Sequence, residues 1–262
     1  MFRAKVIYLE ITTVCTLACK LCIAKIPYYK SHEHVDLVYV KKDIEKLFEV
    51  YDYVENLDIS GGEPLLYPNL DKVLLETLKY KNKWGKVRII TNGTIVPNNE
   101  VINIMKFNKE IELILDDYGD LSVEKKEILN LAENNDIQIR YKRYNGDNQF
   151  CGGFVDLGKF YDRNYTDKDL KDIYDKCHNA HYMCLALKKG KLYQCIHSLA
   201  ACELGYCTFD NTLECDLYDD NLTIEEKRNI LSKYGTRPVN ACKLCNGFDS
   251  KFGKRFPAAE QL

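Results

Sequence analysis

The chain has 262 residues, of which 46% are hydrophobic and 29% charged, and its 37 basic and 39 acidic side chains leave a net charge of −2. This length allows one large α/β domain with a small appendage, and the balanced charge gives no electrostatic reason to expect a nucleic-acid partner. The amino terminus has no apolar run long enough for a secretion signal or a membrane span, so we expect a cytoplasmic protein without a membrane partner.

The first part of the chain alternates short β-branched segments with segments of helical period. This alternation predicts a parallel sheet with crossover helices. The expected strands are Val6–Ile11, Leu57–Ser60, Val87–Thr91, Ile111–Asp116 and Ile137–Tyr141. The spacing of these strands fits repeated βαβ units and indicates an open or closed α/β barrel, in which chemistry lies at the carboxyl ends of the strands.

The pattern changes beyond the predicted barrel, where all cysteines other than the first three are found. The segment Leu185–Tyr193 predicts a β-hairpin that turns near Gly190. A capping box from Thr223 to Glu226 predicts a helix that ends near Gly235. We therefore expect a second structural unit in this part of the chain.

Cys15, Cys19 and Cys22 follow the first predicted strand with the spacing Cys-x3-Cys-x2-Cys. Because cytosolic reductants oppose disulfides, the 12 cysteines of the chain indicate metal ligands or reactive thiols. Three thiolates on a four-iron cluster leave one iron without a protein ligand and open to a small molecule. Zinc is the alternative, although zinc sites usually pair two Cys-x2-Cys units and no fourth ligand lies nearby.

A second motif, Ser60-Gly61-Gly62-Glu63-Pro64, follows the second predicted strand. Two glycines allow the backbone to approach a ligand closely, and their carbonyls can accept hydrogen bonds from an ammonium group. Pro64 is suited to begin the following helix. Taken alone, the segment is also typical of an ordinary strand-to-helix turn.

Together, these two motifs resemble the signature of the radical S-adenosylmethionine (SAM) superfamily. The resemblance implies a partial (β/α)6 barrel, a [4Fe–4S] cluster held by Cys15, Cys19 and Cys22, and SAM chelated at the open iron. It also implies that the loop from Ser60 to Pro64 holds the SAM amine, and that cleavage of SAM yields a 5′-deoxyadenosyl radical that abstracts hydrogen from the substrate. Leu21 departs from the family pattern, in which an aromatic residue at this place often packs near the adenine.

Polar residues also follow the third and fourth predicted strands, so they should line the same end of the barrel. Asn92 and Asp116 are candidates for contact with SAM, because related enzymes use polar residues at such strand ends. Asp117 and Cys151 are weaker candidates for a catalytic role. An ordinary turn and an ordinary helix entry are the alternatives for Asn92 and Asp116.

Four cysteines of the later segment, Cys177, Cys195, Cys242 and Cys245, resemble the ligands of an auxiliary cluster in this superfamily. The short version of this extension, called Twitch, binds one cluster, and the longer SPASM version binds two with further cysteines that are not found here. Cys184 competes with Cys177 because both precede the predicted hairpin. Zinc is again an alternative, since four thiolates also suit tetrahedral zinc.

The resemblance divides the chain into three parts. We expect a radical SAM core over residues 1–150, a connecting segment and end of the barrel over 151–176, and a Twitch/SPASM-like auxiliary-cluster region over 177–262. The cysteines that remain without a predicted role are Cys202, Cys207 and Cys215.

An auxiliary cluster can accept the electron that remains on a substrate radical. We therefore expect oxidation (dehydrogenation) or epimerisation of a carbohydrate-like small molecule, similar to a family member that oxidises an alcohol of an aminocyclitol, with an electron donor such as flavodoxin or ferredoxin. The alternatives are maturation of a ribosomally made peptide and a non-catalytic metal-binding protein. We expect ordinary ion pairing, at the surface or in the barrel wall, for Arg88, Arg140 and Arg143; binding of an anionic substrate such as a phosphate-bearing sugar is the alternative.

Overall fold

The structure is a computed structural model that describes residues 1–144 and 154–262. Five parallel strands follow one another in chain order and are separated by helices. The strands are β1 (Arg3–Thr12), β2 (Tyr53–Gly61), β3 (Trp84–Thr91), β4 (Ile111–Asp117) and β5 (Ile139–Arg143). The helices are α1 (Leu37–Val50), α2 (Leu70–Leu78), α3 (Asn99–Phe107) and α4 (Lys125–Asn134). All five expected strands are present, and the fifth begins two residues later than expected.

The rest of the described chain forms shorter elements. These are β6 (Phe154–Val155), α5 (Asp167–Asp175), α6 (His178–Tyr182), β7 (Cys184–Lys188), β8 (Lys191–Tyr193), α7 (Ile196–Glu203), β9 (Cys215–Asp216), α8 (Ile224–Leu231) and β10 (Arg255–Phe256). Strand β7 lies parallel to β1 on the side opposite β2, and β8 and β9 continue the sheet antiparallel. The sheet order is therefore β5-β4-β3-β2-β1-β7-β8-β9, with six neighbouring parallel strands, while β6 and β10 form a separate two-stranded sheet. The predicted α/β partial barrel is confirmed.

The apolar pattern explains why β1 lies in the middle of the sheet. Ile7, Leu9 and Ile11 are fully buried, and every residue of β4 is buried. The same hydrophobic core includes Leu185 and Leu187 of β7, so the later cysteine-rich segment packs on the core of the parallel strands. The predicted boundaries at residues 150 and 176 remain predictions.

Local signals determine where the later elements begin and end. The turn between β7 and β8 contains Gly190 at φ +83°, and a Cβ there would lie 2.5 Å from the Tyr218 ring. The side chains of Thr223 and Glu226 form the expected capping box at the start of α8, which ends at Leu231, four residues before Gly235. Among the described residues, no helix is both long and apolar enough to cross a membrane.

Candidate active site

A cavity of about 650 Å³ opens at the carboxyl ends of the parallel strands. Cys15, Cys19 and Cys22 line it from the loop that follows β1. At the ends of the other parallel strands, the residues that line the same cavity include Ser60, Gly61, Gly62, Asn92, Asp116 and Lys142. The structure thus brings together the three cysteines, the glycine loop and the polar strand ends.

The glycine loop is hydrogen-bonded directly to the start of the cysteine loop. The backbone N–H of Gly62 donates to the Thr12 carbonyl at 2.8 Å, and that of Glu63 donates to the Val14 carbonyl at 2.8 Å. A Cβ on Gly61 would lie 2.1 Å from the Thr12 oxygen, and one on Gly62 would lie 2.1 Å from the Val14 oxygen. Glycine is therefore required at both positions because two backbone segments are in contact there. The sequence analysis had instead attributed the glycines to close approach of a ligand.

Glu63 and Pro64 do not line the cavity. The buried carboxylate of Glu63 accepts from the backbone N–H groups of Leu65 at 3.0 Å and Asn92 at 2.9 Å, and burial raises its pKa to about 7. Pro64 begins a short 3₁₀ helix, as its fixed φ favours. The contacts of Glu63 hold the glycine loop and Asn92 in place, and SAM binding by Glu63 and Pro64 stays a prediction.

Side-chain amides donate hydrogen bonds to two of the three thiols. Asn92 Nδ2 lies 3.7 Å from Cys15 Sγ, and Gln261 Nε2 lies 3.6 Å from Cys19 Sγ. Burial raises the pKa of Cys15 to about 11 and that of Cys19 to about 12, so these thiols need a positively charged partner to ionise. N–H donors aimed at sulfur are a feature of iron–sulfur sites, and these residues fit such a group.

The two carboxylates at the end of β4 occupy different surroundings. Asp116 lines the cavity 3.7 Å from Lys142 Nζ, and burial raises its pKa to about 6. Asp117 does not line the cavity, because its carboxylate binds the Gly119 N–H, Lys125 Nζ and the Tyr141 hydroxyl. The structure therefore does not support Asp117 as a catalytic candidate. The other candidate, Cys151, lies outside the described residues.

Four cysteines of the later segment surround a second, small cavity that is mostly apolar. They are the preferred four of the sequence, Cys177, Cys195, Cys242 and Cys245. Cys184 does not line this cavity, and its thiol lies instead in β7, where the charges of Asp58 and Arg88 act on it. The tertiary structure thus places Cys177 at the second cavity and Cys184 away from it, whereas the spacing in sequence left both as candidates.

Backbone N–H groups donate to two thiols of this second group. Ser198 N lies 3.3 Å from Cys195 Sγ, and Gly247 N lies 3.2 Å from Cys245 Sγ. Burial raises the pKa of Cys245 to about 12 and also raises that of Cys195. His197 lines the same cavity, and its side chain is buried. Buried thiols with N–H donors fit an iron–sulfur group here too.

No three His, Cys, Asp or Glu side chains within residues 1–144 and 154–262 are close enough to hold a single metal ion. Within each thiol group, the cysteines therefore line one cavity without converging on a single point. In a cubane, each ligating thiolate binds a different iron, so its ligands surround the cluster from several sides.

Comparison with known proteins assigns the family. The model of the Radical SAM superfamily matches residues 9–136, which contain both sequence motifs, the last four residues of β1 and all of β2 to β4. Residues 9–136 of this chain form a radical SAM domain. Such a domain implies a [4Fe–4S] cluster and SAM. No curated protein sequence matches the chain.

Solved structures of radical SAM proteins share the fold at low sequence identity. BtrN in complex with AdoMet and 2-DOIA is 16% identical with a TM-score of 0.59, and the match covers 98% of this chain and 98% of BtrN. Native anSMEcpe with bound AdoMet is 15% identical with a TM-score of 0.56, covering 98% of this chain and 92% of that protein. SuiB from Streptococcus suis, bound to S-adenosylmethionine, is 15% identical with a TM-score of 0.51, covering 94% and 73%.

The radical SAM domain also contains a buried cation between the two thiol groups that the sequence analysis missed. Lys25 Nζ donates to the Gly158 carbonyl at 2.8 Å, and the charges of both Cys22 and Cys245 act on it. Burial lowers the pKa of this lysine. Its position three residues after Cys22 was the only sequence signal, whereas its proximity to Cys245 arises from tertiary structure.

The remaining described cysteines do not line either of the two cavities. Cys202 and Cys207 form a pair with their sulfurs 3.3 Å apart, and Cys215 is a buried member of the main hydrophobic core.

Two of the arginines considered as substrate-binding candidates form ion pairs: Arg88 pairs with Asp58, and Arg140 pairs with Glu112. Neither arginine lines the cavity, and these pairs agree with the expected ion pairing in the barrel wall.

Part of the cavity wall comes from the last part of the chain, to which the sequence analysis assigned no role in this cavity. Phe248, Ser250 and Arg255 line the cavity, and we call them the C-terminal wall. His178 also lines the cavity, and its ring centroid lies 5.3 Å from that of Phe248. Aromatic residues from the other elements, Tyr8, Tyr118, Tyr144 and Phe154, complete the apolar lining.

Proposed function

We propose that this protein is a radical SAM enzyme that oxidises or epimerises a carbohydrate-like small molecule. The observation that carries the proposal is the shared cavity, which is lined by the three cysteines, the glycine loop and the polar ends of the parallel strands. Radical SAM enzymes act on small-molecule or peptide substrates. Bound in this cavity, a [4Fe–4S] cluster and SAM would supply a 5′-deoxyadenosyl radical for abstraction of a hydrogen atom from the substrate.

The residues around the first thiol group would hold these cofactors. Cys15, Cys19 and Cys22 would ligate the cluster, while Asn92 and Gln261 orient two of the thiols. The buried hydroxyl of Ser60 lines the cavity without a hydrogen-bond partner among the described residues, so it is available to SAM together with the carbonyls of the glycine loop. A buried polar group without a partner carries a free-energy cost that a bound ligand can remove.

The second thiol group supports oxidation as the outcome. Cys177, Cys195, Cys242 and Cys245 would ligate an auxiliary cluster of the Twitch type, which could take an electron from a substrate radical in the neighbouring cavity. His178 lines the large cavity, and its chain neighbour Cys177 lines the small one. The two cavities are thus only one residue apart at this point. Flavodoxin or ferredoxin would supply the electron that starts the reaction.

Maturation of a peptide is the second candidate. It is favoured by the similar fold of SuiB bound to precursor peptide SuiA and of anSMEcpe bound to Cp18Cys peptide. The small-molecule reading is favoured by BtrN in complex with 2-DOIA, because that match covers nearly the whole of both chains. All these identities are low, so the preference depends on the coverage of the BtrN match.

The enzymatic proposal is tested by anaerobic reconstitution with iron and sulfide, followed by dithionite and SAM. We expect release of 5′-deoxyadenosine, and no release from the variant in which Cys15, Cys19 and Cys22 are all replaced by alanine. A protein that holds its first cluster and still releases no 5′-deoxyadenosine would be a non-catalytic metal-binding protein. Deuterium transfer from labelled sugars or peptides into 5′-deoxyadenosine would then identify the substrate class, and solvent deuterium in the product would indicate epimerisation.

A further inference from the structure

The C-terminal wall presents an arginine to the cavity, and among the described residues one backbone carbonyl accepts a hydrogen bond from its side chain. Arg255 lies on β10, which pairs with β6 next to the aromatic lining. Its Nη2 donates to the Ser250 carbonyl at 2.7 Å, and its guanidinium carbon lies 6.0 Å from the centroid of the Phe248 ring. Within residues 1–144 and 154–262, no carboxylate lies at ion-pair distance from Arg255.

A second polar group lies beside the same aromatic ring. The ring of His178 packs between Tyr182, at a centroid distance of 4.1 Å, and Phe248, at 5.3 Å. Its Nδ1 is buried, and no described residue forms a hydrogen bond with it. A buried ring nitrogen without a partner is uncommon in native proteins, and in a cavity wall it indicates a partner that comes from the ligand.

Few charged side chains are found among the described residues that line the cavity. Asp116 is the only aspartate or glutamate among the described lining residues, and Lys142 lies 3.7 Å from it. Among the described residues, Arg255 is therefore a cation of the cavity wall that has no carboxylate partner. A guanidinium group offers paired donors whose geometry matches carboxylate and phosphate oxygens.

We propose that Arg255 binds an anionic group of the substrate, a carboxylate or a phosphate, with His178 as a second hydrogen-bond partner. This inference rests on the proposed function, since it assigns the substrate of that same cavity. It narrows the carbohydrate-like class to molecules that carry an acidic or phosphorylated group. The same chemistry could recognise the carboxylate of SAM, so the experiment separates the two sources.

The test uses the anaerobically reconstituted enzyme with SAM present and isothermal titration calorimetry with inorganic phosphate and with acetate. We expect Arg255→Met to weaken binding of the better of these two anions by at least about tenfold, because charge-assisted paired hydrogen bonds are lost. Arg140→Met is the matched control, since Arg140 pairs with Glu112 outside the cavity. Arg255→Lys keeps the charge without the paired donors and should bind with intermediate affinity; it replaces the methionine variant if that variant does not fold.

SAM affinity, measured by equilibrium dialysis on the same proteins, should change by less than about twofold in Arg255→Met. A parallel loss of SAM and phosphate binding would assign the arginine to SAM and overturn the proposal. The proposal is also overturned if neither anion binds the wild-type enzyme, or if both bind the variant equally well. Arg255-dependent phosphate binding in a protein that never forms 5′-deoxyadenosine would instead reject the proposed function and leave the anion site standing.

Discussion

The two thiol groups of this protein differ in their number of cysteines, in the cavity that they line and in the hydrogen-bond donors that contact their sulfurs. The first has three cysteines on the wall of a cavity of about 650 Å³, and side-chain amides of Asn92 and Gln261 donate to them. The second has four cysteines around a small apolar cavity, and backbone N–H groups donate to them. The contrast is typical of an open, reactive metal site beside a fully ligated one.

The largest expected effect comes from removing the first thiol group. The triple variant Cys15/Cys19/Cys22→Ala should lose all formation of 5′-deoxyadenosine and keep about four of about eight irons per chain, because we propose that the second group ligates its own cluster. Iron, sulfide and zinc analysis with Mössbauer spectroscopy measures the outcome. Loss of all the iron, or the appearance of zinc, would contradict a second cluster.

Removing one ligand of the second thiol group should give the opposite result. We expect Cys195→Ala to lower the iron content to about four per chain while SAM cleavage continues, because the first group is unchanged. Cys184→Ala is the matched control, since Cys184 is a buried cysteine of the adjacent strand that does not line the second cavity. Iron loss in the control as large as in Cys195→Ala would return Cys184 to the ligand set.

A variant of Lys25 tests whether one charge acts on both thiol groups. Replacing this buried lysine by methionine removes a positive charge that acts near both Cys22 and Cys245, so reduction of either cluster should become harder. We expect negative shifts on the order of tens of millivolts in both midpoint potentials, measured by redox titration with electron paramagnetic resonance. The exposed Lys20 of the same loop gives the control variant Lys20→Met. A shift at only one cluster would show that Lys25 does not connect them.

The smallest expected effect concerns the C-terminal tail. Gln261 accepts from the Ala18 N–H at 2.8 Å and donates to Cys19 Sγ, so Gln261→Ala should loosen the first cysteine loop by about 1 kcal/mol. A chelator should then remove iron from the first cluster several times faster, while the second cluster loses iron at its usual rate. Glu260→Ala removes only an exposed ion pair with Lys20 and should change neither rate. Equal acceleration in both variants would mean that the tail acts through its general packing.

Periodicity and motif spacing were sufficient for the parallel strands and for the first thiol group. Short apolar strands and helices of regular period are local signals, and they gave all five strands. The motifs at Cys15 and Gly61 lie next to strand ends, so strand order alone brings them to one edge of the sheet. The family match over residues 9–136 agrees with this part of the prediction.

Long-range contacts decided the rest. The sequence alone determined that three cysteines and a glycine loop meet at the end of a parallel sheet, because both follow consecutive strands. Only the tertiary structure placed Cys177 at the second cavity and Cys184 away from it, and only it turned Glu63 and Asp117 toward structural partners. It also brought Arg255 to the cavity from the far end of the chain. Spacing in sequence reports neighbours within a few residues, whereas a cavity wall is made of segments that meet only when the core is packed.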